Sequence, residues 1–201
     1  MLFFLKVLGL QLALVLAVLR LIRTLDPSHG LRTDGAAVGI LLAGCGAGAG
    51  YIVYSHSGAT PGVWLGYLAL AVYLTVCTIT DIQTCRVYDI LQVPAAAAGA
   101  WLCIRQPAAA ESGTGLILFA LLQYLLFMRL YGEGDVMAFQ ICALYLAGGG
   151  GNFLTMLLHM ALAFAMLGAM QLAKGNINRK GNLKSPVPFL PYIACSVLWF
   201  L

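Results

Sequence analysis

The sequence predicts an all-α fold, a polytopic bundle of about eight transmembrane helices. Three observations carry this prediction: 62% of the 201 residues are hydrophobic, only 9% are charged, and the mean hydropathy is +0.93. Soluble domains have about 25% charged residues, and a water-soluble globule of this size needs a charged surface that this composition does not provide. The composition also argues against a disordered chain, and a net charge of +4 is too small to predict nucleic-acid binding.

A helix of about 20 apolar residues crosses a bilayer core, and such segments recur along the chain, separated by groups of Gly, Pro and Ser. The predicted spans lie at about 2–22, 35–54, 63–80, 90–104, 114–131, 136–148, 152–172 and 187–201. The fourth, sixth and eighth are short, so we expect them to be tilted, merged or bounded differently. Pro94 is expected to bend or interrupt the fourth. We treat residues 1–201 as one transmembrane domain.

The distribution of basic residues predicts the orientation. If the loop 23–34 faces the cytoplasm, nine of the 11 Lys and Arg residues lie inside. They are Arg20, Arg23, Arg32, Arg86, Arg129, Lys174, Arg179, Lys180 and Lys184. Only Lys6 and Arg105 lie outside, so the positive-inside rule places both termini outside after eight crossings. The basic loop 174–184 is interpreted as a topology anchor beside anionic lipid headgroups, with a direct substrate role as the alternative.

Cysteine, histidine and glycine residues are assigned to packing. The six cysteines occur singly, without a CxxC pair, so they predict neither a zinc site nor a disulfide framework and are interpreted as fillers of buried helices. His56 and His159 have no neighbours at metal-ligand spacing, and His159 is assigned to helix packing. Two pairs of glycines predict close helix packing in the second span. These are Gly35 with Gly39 and Gly46 with Gly50.

Once Asp26 and Asp34 of the first loop and Glu111 of an outer loop are set aside, four acidic residues remain, all on the predicted inner side. They are Asp81, Asp89, Glu133 and Asp135. Asp81 ends the third span and Asp135 opens the sixth, and an ionisable group at the membrane boundary is costly and therefore a functional candidate. One such residue alone is explained by capping or by pairing with Arg86 or Arg129, whereas two at one depth favour a catalytic pair. Asp26, in the first loop, is assigned to helix capping.

Two carboxyls about 3 Å apart share one proton, because both cannot ionise cheaply, and they titrate as a pair. The ionised carboxylate can take a proton from water while the protonated one donates to a peptide carbonyl, so the pair hydrolyses an amide without a metal or cofactor. Gly132 and Gly134 flank Glu133 just before Asp135. The room that these glycines leave would admit an extended substrate backbone.

Three segments resemble a known family. Residues 132–135, Gly-Glu-Gly-Asp, resemble the GxGD signature of intramembrane aspartyl proteases. Residues 81–89 resemble the first-aspartate segment of the type IV prepilin peptidases, and residues 187–192 resemble their C-terminal Pro-Phe-x-Pro element. The matches occur in family order and cover about residues 75–195, while the first two spans match only in hydropathy.

The resemblance implies an enzyme of the bacterial inner membrane that cleaves the short basic leader from prepilins and pseudopilins at the cytoplasmic face. Asp81 and Asp135 would be its catalytic pair, with no cofactor, and its partners would be a prepilin-like membrane protein and the lipid bilayer. Many members carry a methyltransferase domain with CxxC zinc pairs in the first cytoplasmic loop. Here the loop 23–34 has no cysteine, so we expect the peptidase alone.

The chain departs from the family pattern in two places. The family usually has Ile-Pro-Asn where this chain has Val-Tyr-Asp at 87–89, and Lys two positions after the second aspartate where this chain has Met137. The missing lysine removes a positive charge near the pair, and Asp89 adds a third inner carboxyl. We favour Asp81 over Asp89 as the partner of Asp135, because Asp81 lies at the end of the span.

Asp89 and Glu133 are candidates for contacts with the substrate leader. Four inner carboxylates face only Arg86 and Arg129, so an acidic entrance would attract Lys and Arg side chains of a leader peptide. The alternative is that both residues are solvated rim carboxylates.

Two other functions are kept as alternatives. Residues 88–89, Tyr-Asp, resemble the YD motif of the presenilin and signal-peptide-peptidase group, which would imply cleavage of other membrane helices, but the last span has no Pro-Ala-Leu element. A small transporter or membrane scaffold would use boundary acids to move protons or ions. An inverted repeat would favour transport, and none is evident in the sequence.

Overall fold

A computed structural model describes residues 1–27, 31, 35–56, 58–105, 110–127, 132–174 and 187–201. These residues form eight α-helices and no β-strand, which confirms the all-α prediction. The helices are α1 (Leu2–Leu25), α2 (Gly35–His56), α3 (Pro61–Thr84), α4 (Asp89–Arg105), α5 (Ala110–Leu122), α6 (Glu133–Gly148), α7 (Phe153–Ala173) and α8 (Leu190–Phe200). A π-helical turn, Gln123–Phe127, follows α5. Each predicted apolar segment overlaps one helix.

Two helices differ from their predicted form. The helix α3 continues to Thr84 instead of ending at residue 80, so Asp81 lies inside its last turn. Of the two effects predicted for Pro94, a bend or an interruption, the interruption does not occur, because α4 continues past Pro94 to Arg105. A proline removes one backbone hydrogen bond from a helix, and packing of the buried side of α4 outweighs that loss.

Four helices, α1, α2, α3 and α7, are long and apolar enough to cross a membrane. The 24 residues of α1 or α3 cover about 36 Å at ~1.5 Å per residue, more than the ~30 Å hydrocarbon core. These helices indicate a membrane protein. The other four helices have 11 to 17 residues, so length alone does not establish eight crossings.

Contacts between helix ends show that α1 and α3 run in one direction and α2 and α8 in the opposite one. Phe3 at the start of α1 packs on Trp64 at the start of α3, with ring centroids 5.9 Å apart. Tyr51 near the end of α2 donates a hydrogen bond to the carbonyl of Leu201, after α8, at 3.1 Å. At the opposite side of the bundle, the start of α8 meets the end of α3. Phe3 and Leu201 therefore lie on the side away from the end of α3.

The helix α3 is at the centre of the bundle and packs against α1, α2, α4, α6 and α8. Two glycines of α2 allow close approach: a Cβ at Gly44 would lie 2.7 Å from Thr75 Oγ1, and one at Gly48 would lie 2.7 Å from Ala71 Cβ. A Cβ added at any of the glycines predicted for this role would meet no described residue within 4 Å; they are Gly35, Gly39, Gly46 and Gly50. The prediction that these four glycines mediate close helix packing is wrong within the described chain. A spacing of four residues does not identify the side of α2 that faces α3.

Small residues also hold α6 against α4. A Cβ at Gly99 would lie 3.0 Å from Leu144 Cβ. The fully buried Tyr145 donates a hydrogen bond to the carbonyl of Ala95 at 3.0 Å. This packing determines where the first turn of α6 lies, and that turn carries Asp135.

We expect Gly48→Val to destabilise the protein and Gly46→Val to leave its stability nearly unchanged. The first substitution places a branched side chain against Ala71 and Gln11, whereas Gly46 has no neighbour within 4 Å. Overpacking of this kind costs about 1–3 kcal/mol. Thermal unfolding of both variants in the same detergent measures the difference. Equal melting temperatures for the two variants would contradict the packing of α2 on α3.

Candidate active site

Asp81 lies in the last turn of α3 and is only 5% exposed. The backbone N–H of Leu190, the first residue of α8, donates a hydrogen bond to Asp81 Oδ2 at 2.9 Å. N–H groups at a helix N-terminus have no partner within the helix and carry the positive end of its dipole. The contact therefore favours a negative charge on Asp81 and offsets part of the cost of burying it.

The local sequence explains why α8 begins here. Pro191 lies in the first turn of α8, where its missing N–H costs no helical hydrogen bond. The buried ring of Phe189, the N-cap residue, packs on Phe139 of α6 and Phe164 of α7 with centroids 5.6 and 4.9 Å away. We call Phe139, Phe164 and Phe189 the aromatic cluster. It joins three helices and holds the N-terminus of α8 in place.

Asp135 lies in the first turn of α6, where its N–H donates to the carbonyl of Gly132 at 3.0 Å. It is partly buried and precedes the apolar segment 136–148, outside the four helices that are long enough to cross a membrane. Burial and, second, the negative charge of Asp81 raise the pKa of its carboxyl to about 7. The charge of Asp81 is therefore part of the electrostatic environment of Asp135.

A cavity of about 640 Å³ lies where the end of α3 meets α7 and the starts of α4, α6 and α8. We call it the aspartate cavity. All six predicted site residues line it: Asp81, Asp89, Gly132, Glu133, Gly134 and Asp135. Arg86 lines it as well, whereas Arg129 lies outside the described residues. Phe164, Leu167 and Phe189 provide apolar wall, so one space combines carboxylates, a cation and apolar surface.

Asp89 and Glu133 are exposed and lie at the rim of the aspartate cavity. Each is the first residue of a helix, α4 or α6, where a carboxylate interacts favourably with the helix dipole. That position gives both residues a structural reason to be acidic. It also leaves both carboxylates accessible to a basic ligand that approaches from water.

The two glycines of the motif have different surroundings. A Cβ at Gly134 would lie 3.1 Å from Val87 Cβ, so the start of α6 packs tightly against the segment between α3 and α4. Gly132 has φ −64°, which any residue adopts, and among the described residues a Cβ there would approach only Asp135 Oδ2, at 3.8 Å. Within that part of the chain, Gly132 therefore leaves open space beside the Asp135 carboxyl.

Cys85 is a residue of the aspartate cavity that sequence reasoning missed. The prediction assigns all six cysteines to buried helices, but Cys85 and Cys195 are exposed. Cys85 follows α3 in the left-handed conformation, with φ 51° and ψ 39°, and lines the cavity. A left-handed C-cap is usually marked by glycine, so the sequence carries no signal for this position.

Tyr88 links the wall of the aspartate cavity to the end of α1. Its hydroxyl donates a hydrogen bond to Asp26 Oδ2 at 3.3 Å. Asp26 is the C-cap residue of α1, which agrees with a position at a helix end, and its carboxylate also binds this distant segment. The bond holds the connection between α3 and α4 against the first loop.

Comparison with models of protein families, with curated proteins and with solved structures finds no match.

We expect a charged, membrane-impermeant thiol reagent to label Cys85 in preference to the buried cysteines. Desolvation and, second, the negative charge of Asp81 raise the pKa of the Cys85 thiol. Labelling should therefore accelerate as pH rises, because the thiolate is the reactive form. Asp81→Asn should move the pH profile of labelling to lower pH by removing a charge that opposes the thiolate.

Mass spectrometry of labelled peptides measures the rate, and Cys85→Ser verifies the labelled residue. Asp89→Asn is the matched control, because Asp89 lines the same cavity but is not among the causes that raise the pKa of the Cys85 thiol. An identical pH profile in the original protein and in Asp81→Asn would refute the interaction between Cys85 and Asp81.

Proposed function

We propose that this chain is an aspartic endopeptidase of the bacterial inner membrane that cleaves the basic leader from prepilin-like or pseudopilin proteins. The observation that carries the proposal is the cavity in which Asp81 and Asp135 interact, with the GxGD segment 132–135 on its wall. The Pro-Phe-x-Pro element adds support, because its Leu190 supplies the N–H that bonds to Asp81. The loop 23–34 holds no CxxC pair, so the proposal is limited to the peptidase reaction.

In the proposed reaction Asp81 is the base and Asp135 is the acid. The α8 N-terminus favours negative charge on Asp81, while the pKa of Asp135 near neutrality lets it hold the shared proton. Asp81 takes a proton from water as the water oxygen attacks the peptide carbon, and Asp135 donates its proton to the carbonyl oxygen. When the C–N bond breaks, the leaving nitrogen takes the proton held by Asp81, and Asp135 recovers its own from the collapsing intermediate.

We further propose eight crossings, with both termini outside and the aspartate cavity at the cytoplasmic leaflet. The up-and-down contacts of the helix ends support this topology. Nine of the 11 Lys and Arg residues then lie on the cytoplasmic side, as the positive-inside rule requires. Ten of the 16 residues of the short helix α6 are buried between its neighbours, which permits a short helix at membrane depth.

The proposed substrate is a chain with a basic leader followed by an apolar helix. That helix would lie in lipid beside the enzyme and bring the scissile bond to the aspartate cavity, where the bond leaves helical form. The open space beside Gly132 gives an extended backbone access to Asp135. Asp89 and Glu133 at the rim would attract the basic leader, since Arg86 is the one cation among the described residues that line the cavity.

We expect Asp81→Asn and Asp135→Asn each to abolish cleavage of a co-expressed prepilin. Loss of a general acid or base typically lowers the rate by about 100- to 10,000-fold. Asp89→Asn should retain most activity, because its exposed carboxylate lies at the rim. Immunoblots of leader removal, with equal membrane levels of each variant, provide the measurement.

Cleavage that survives in both Asp81→Asn and Asp135→Asn would eliminate the proposal. If the protein cleaved other membrane helices but not prepilins, the same chemistry would act on a different substrate. Failure to cleave any membrane helix would also reject the peptidase function. It would favour the alternative in which the boundary carboxylates move protons or ions.

We expect the double change Asp89→Lys and Glu133→Lys to slow cleavage of a basic leader and to reverse the sign of its salt dependence. Attraction between opposite charges weakens as salt rises, and repulsion weakens likewise. Cleavage rates at low and high ionic strength measure the effect, with a substrate whose leader charges are neutralised as the control. If the double change left both the rate and its salt dependence unaltered, Asp89 and Glu133 would have no role in leader binding.

A further inference from the structure

A second cavity, of about 600 Å³, lies between α1, α2 and α3 and shares no lining residue with the aspartate cavity. We call it the arginine cavity. Ile79 and Gln83 of α3 line the arginine cavity. Asp81 of α3 and Cys85, which directly follows α3, line the aspartate cavity. A step of two residues turns an α-helix by about 200°. The two cavities therefore lie on opposite sides of the last turns of α3.

The arginine cavity is polar at one end and apolar along its length. Arg20 and Arg23 of α1 line the polar end, together with Gln83. Ala13 and Leu16 line the deeper part. Ten residues separate Ala13 from Arg23, which corresponds to about 15 Å of helix, the hydrocarbon depth of one leaflet. The polarity of the cavity thus changes along the same direction and over the same distance as that of a lipid leaflet.

The two arginines supply positive charge that no described residue neutralises. Among the described residues, neither Arg20 nor Arg23 has an ion pair or hydrogen-bond partner. Both are exposed and three residues apart, so they project from the same side of α1. A guanidinium presents several donors in a plane that suits phosphate oxygens.

We propose that the arginine cavity binds one anionic phospholipid from the leaflet at the C-terminal end of α1. Its phosphate lies between Arg20 and Arg23, and one acyl chain follows the wall formed by Ala13 and Leu16 with Leu41 of α2. Charge complementarity selects an anionic headgroup, and the length of apolar wall selects a ligand with a chain attached. The proposal requires only a membrane protein and does not depend on the peptidase function.

The bound lipid would also brace the site on the other side of α3. Ile79 lies against the proposed acyl chain and is two residues before Asp81. A ligand that binds only the folded chain stabilises it in proportion to its occupancy. We therefore expect anionic lipid to stabilise the helix end that carries the aspartate.

The test uses the full chain purified in neutral detergent and titrated with phosphatidylglycerol or with phosphatidylcholine of the same acyl chains. Native mass spectrometry counts retained lipids, and thermal unfolding reports stabilisation. We expect retention of one phosphatidylglycerol and a raised melting temperature, with weaker effects from phosphatidylcholine. Inorganic phosphate alone is the third arm, and we expect it to give little stabilisation.

The double variant Arg20→Gln with Arg23→Gln should weaken phosphatidylglycerol binding by about tenfold or more, as expected for two basic side chains at an anionic headgroup. Lys174→Gln is the matched control, because Lys174 follows α7 and does not line the cavity. Ala13→Phe tests the acyl-chain part without a change of charge and should also weaken lipid retention.

Equal binding of the two lipids, or unchanged binding in the arginine double variant, would overturn the proposal. Equal stabilisation by inorganic phosphate would show a phosphate site without a lipid chain and would overturn it as well. If Lys174→Gln lost as much binding as the arginine double variant, the effect would be one of net charge. That result would contradict a specific site at Arg20 and Arg23.

Discussion

The N–H of Leu190 meets the buried carboxylate of Asp81 and joins the end of α3 to the start of α8, 109 residues later in the chain. A buried carboxylate is costly unless donors surround it, so the charge on Asp81 and the position of α8 depend on each other. The aromatic cluster extends this dependence to α6 and α7, because Phe189 directly precedes the donor. Four helices are thereby positioned around one carboxyl group.

The helix α3 serves two environments at once. Much of it, above all from Tyr73 to Asp81, is buried in the bundle, in which α2 and α4 are among its neighbours. Its last two turns separate the aspartate cavity from the arginine cavity. Any change in the packing of α3 therefore acts on both cavities, even though they have no residue in common.

Hydropathy predicts the helices well, because apolar length is a property of the sequence alone. Asp81 and Asp135 line one cavity, since the end of α3 lies beside the start of α6; their depth in the membrane stays a prediction. Contacts between helices are harder to predict from the sequence. The spacing of Gly35 and Gly39 does not reveal which side of α2 faces α3, and the left-handed backbone at Cys85 has no marker residue. The backbone donor at Leu190 has no marker in the sequence either, because every residue type except proline supplies a backbone N–H.

The bond from Tyr88 to Asp26 has a mechanical consequence. It joins Asp26, at the end of α1, to the segment between α3 and α4. That segment carries Val87, against which Gly134 packs. Loss of that single phenol hydroxyl would therefore loosen the segment on which the turn before Asp135 rests, while leaving both carboxyls chemically unchanged.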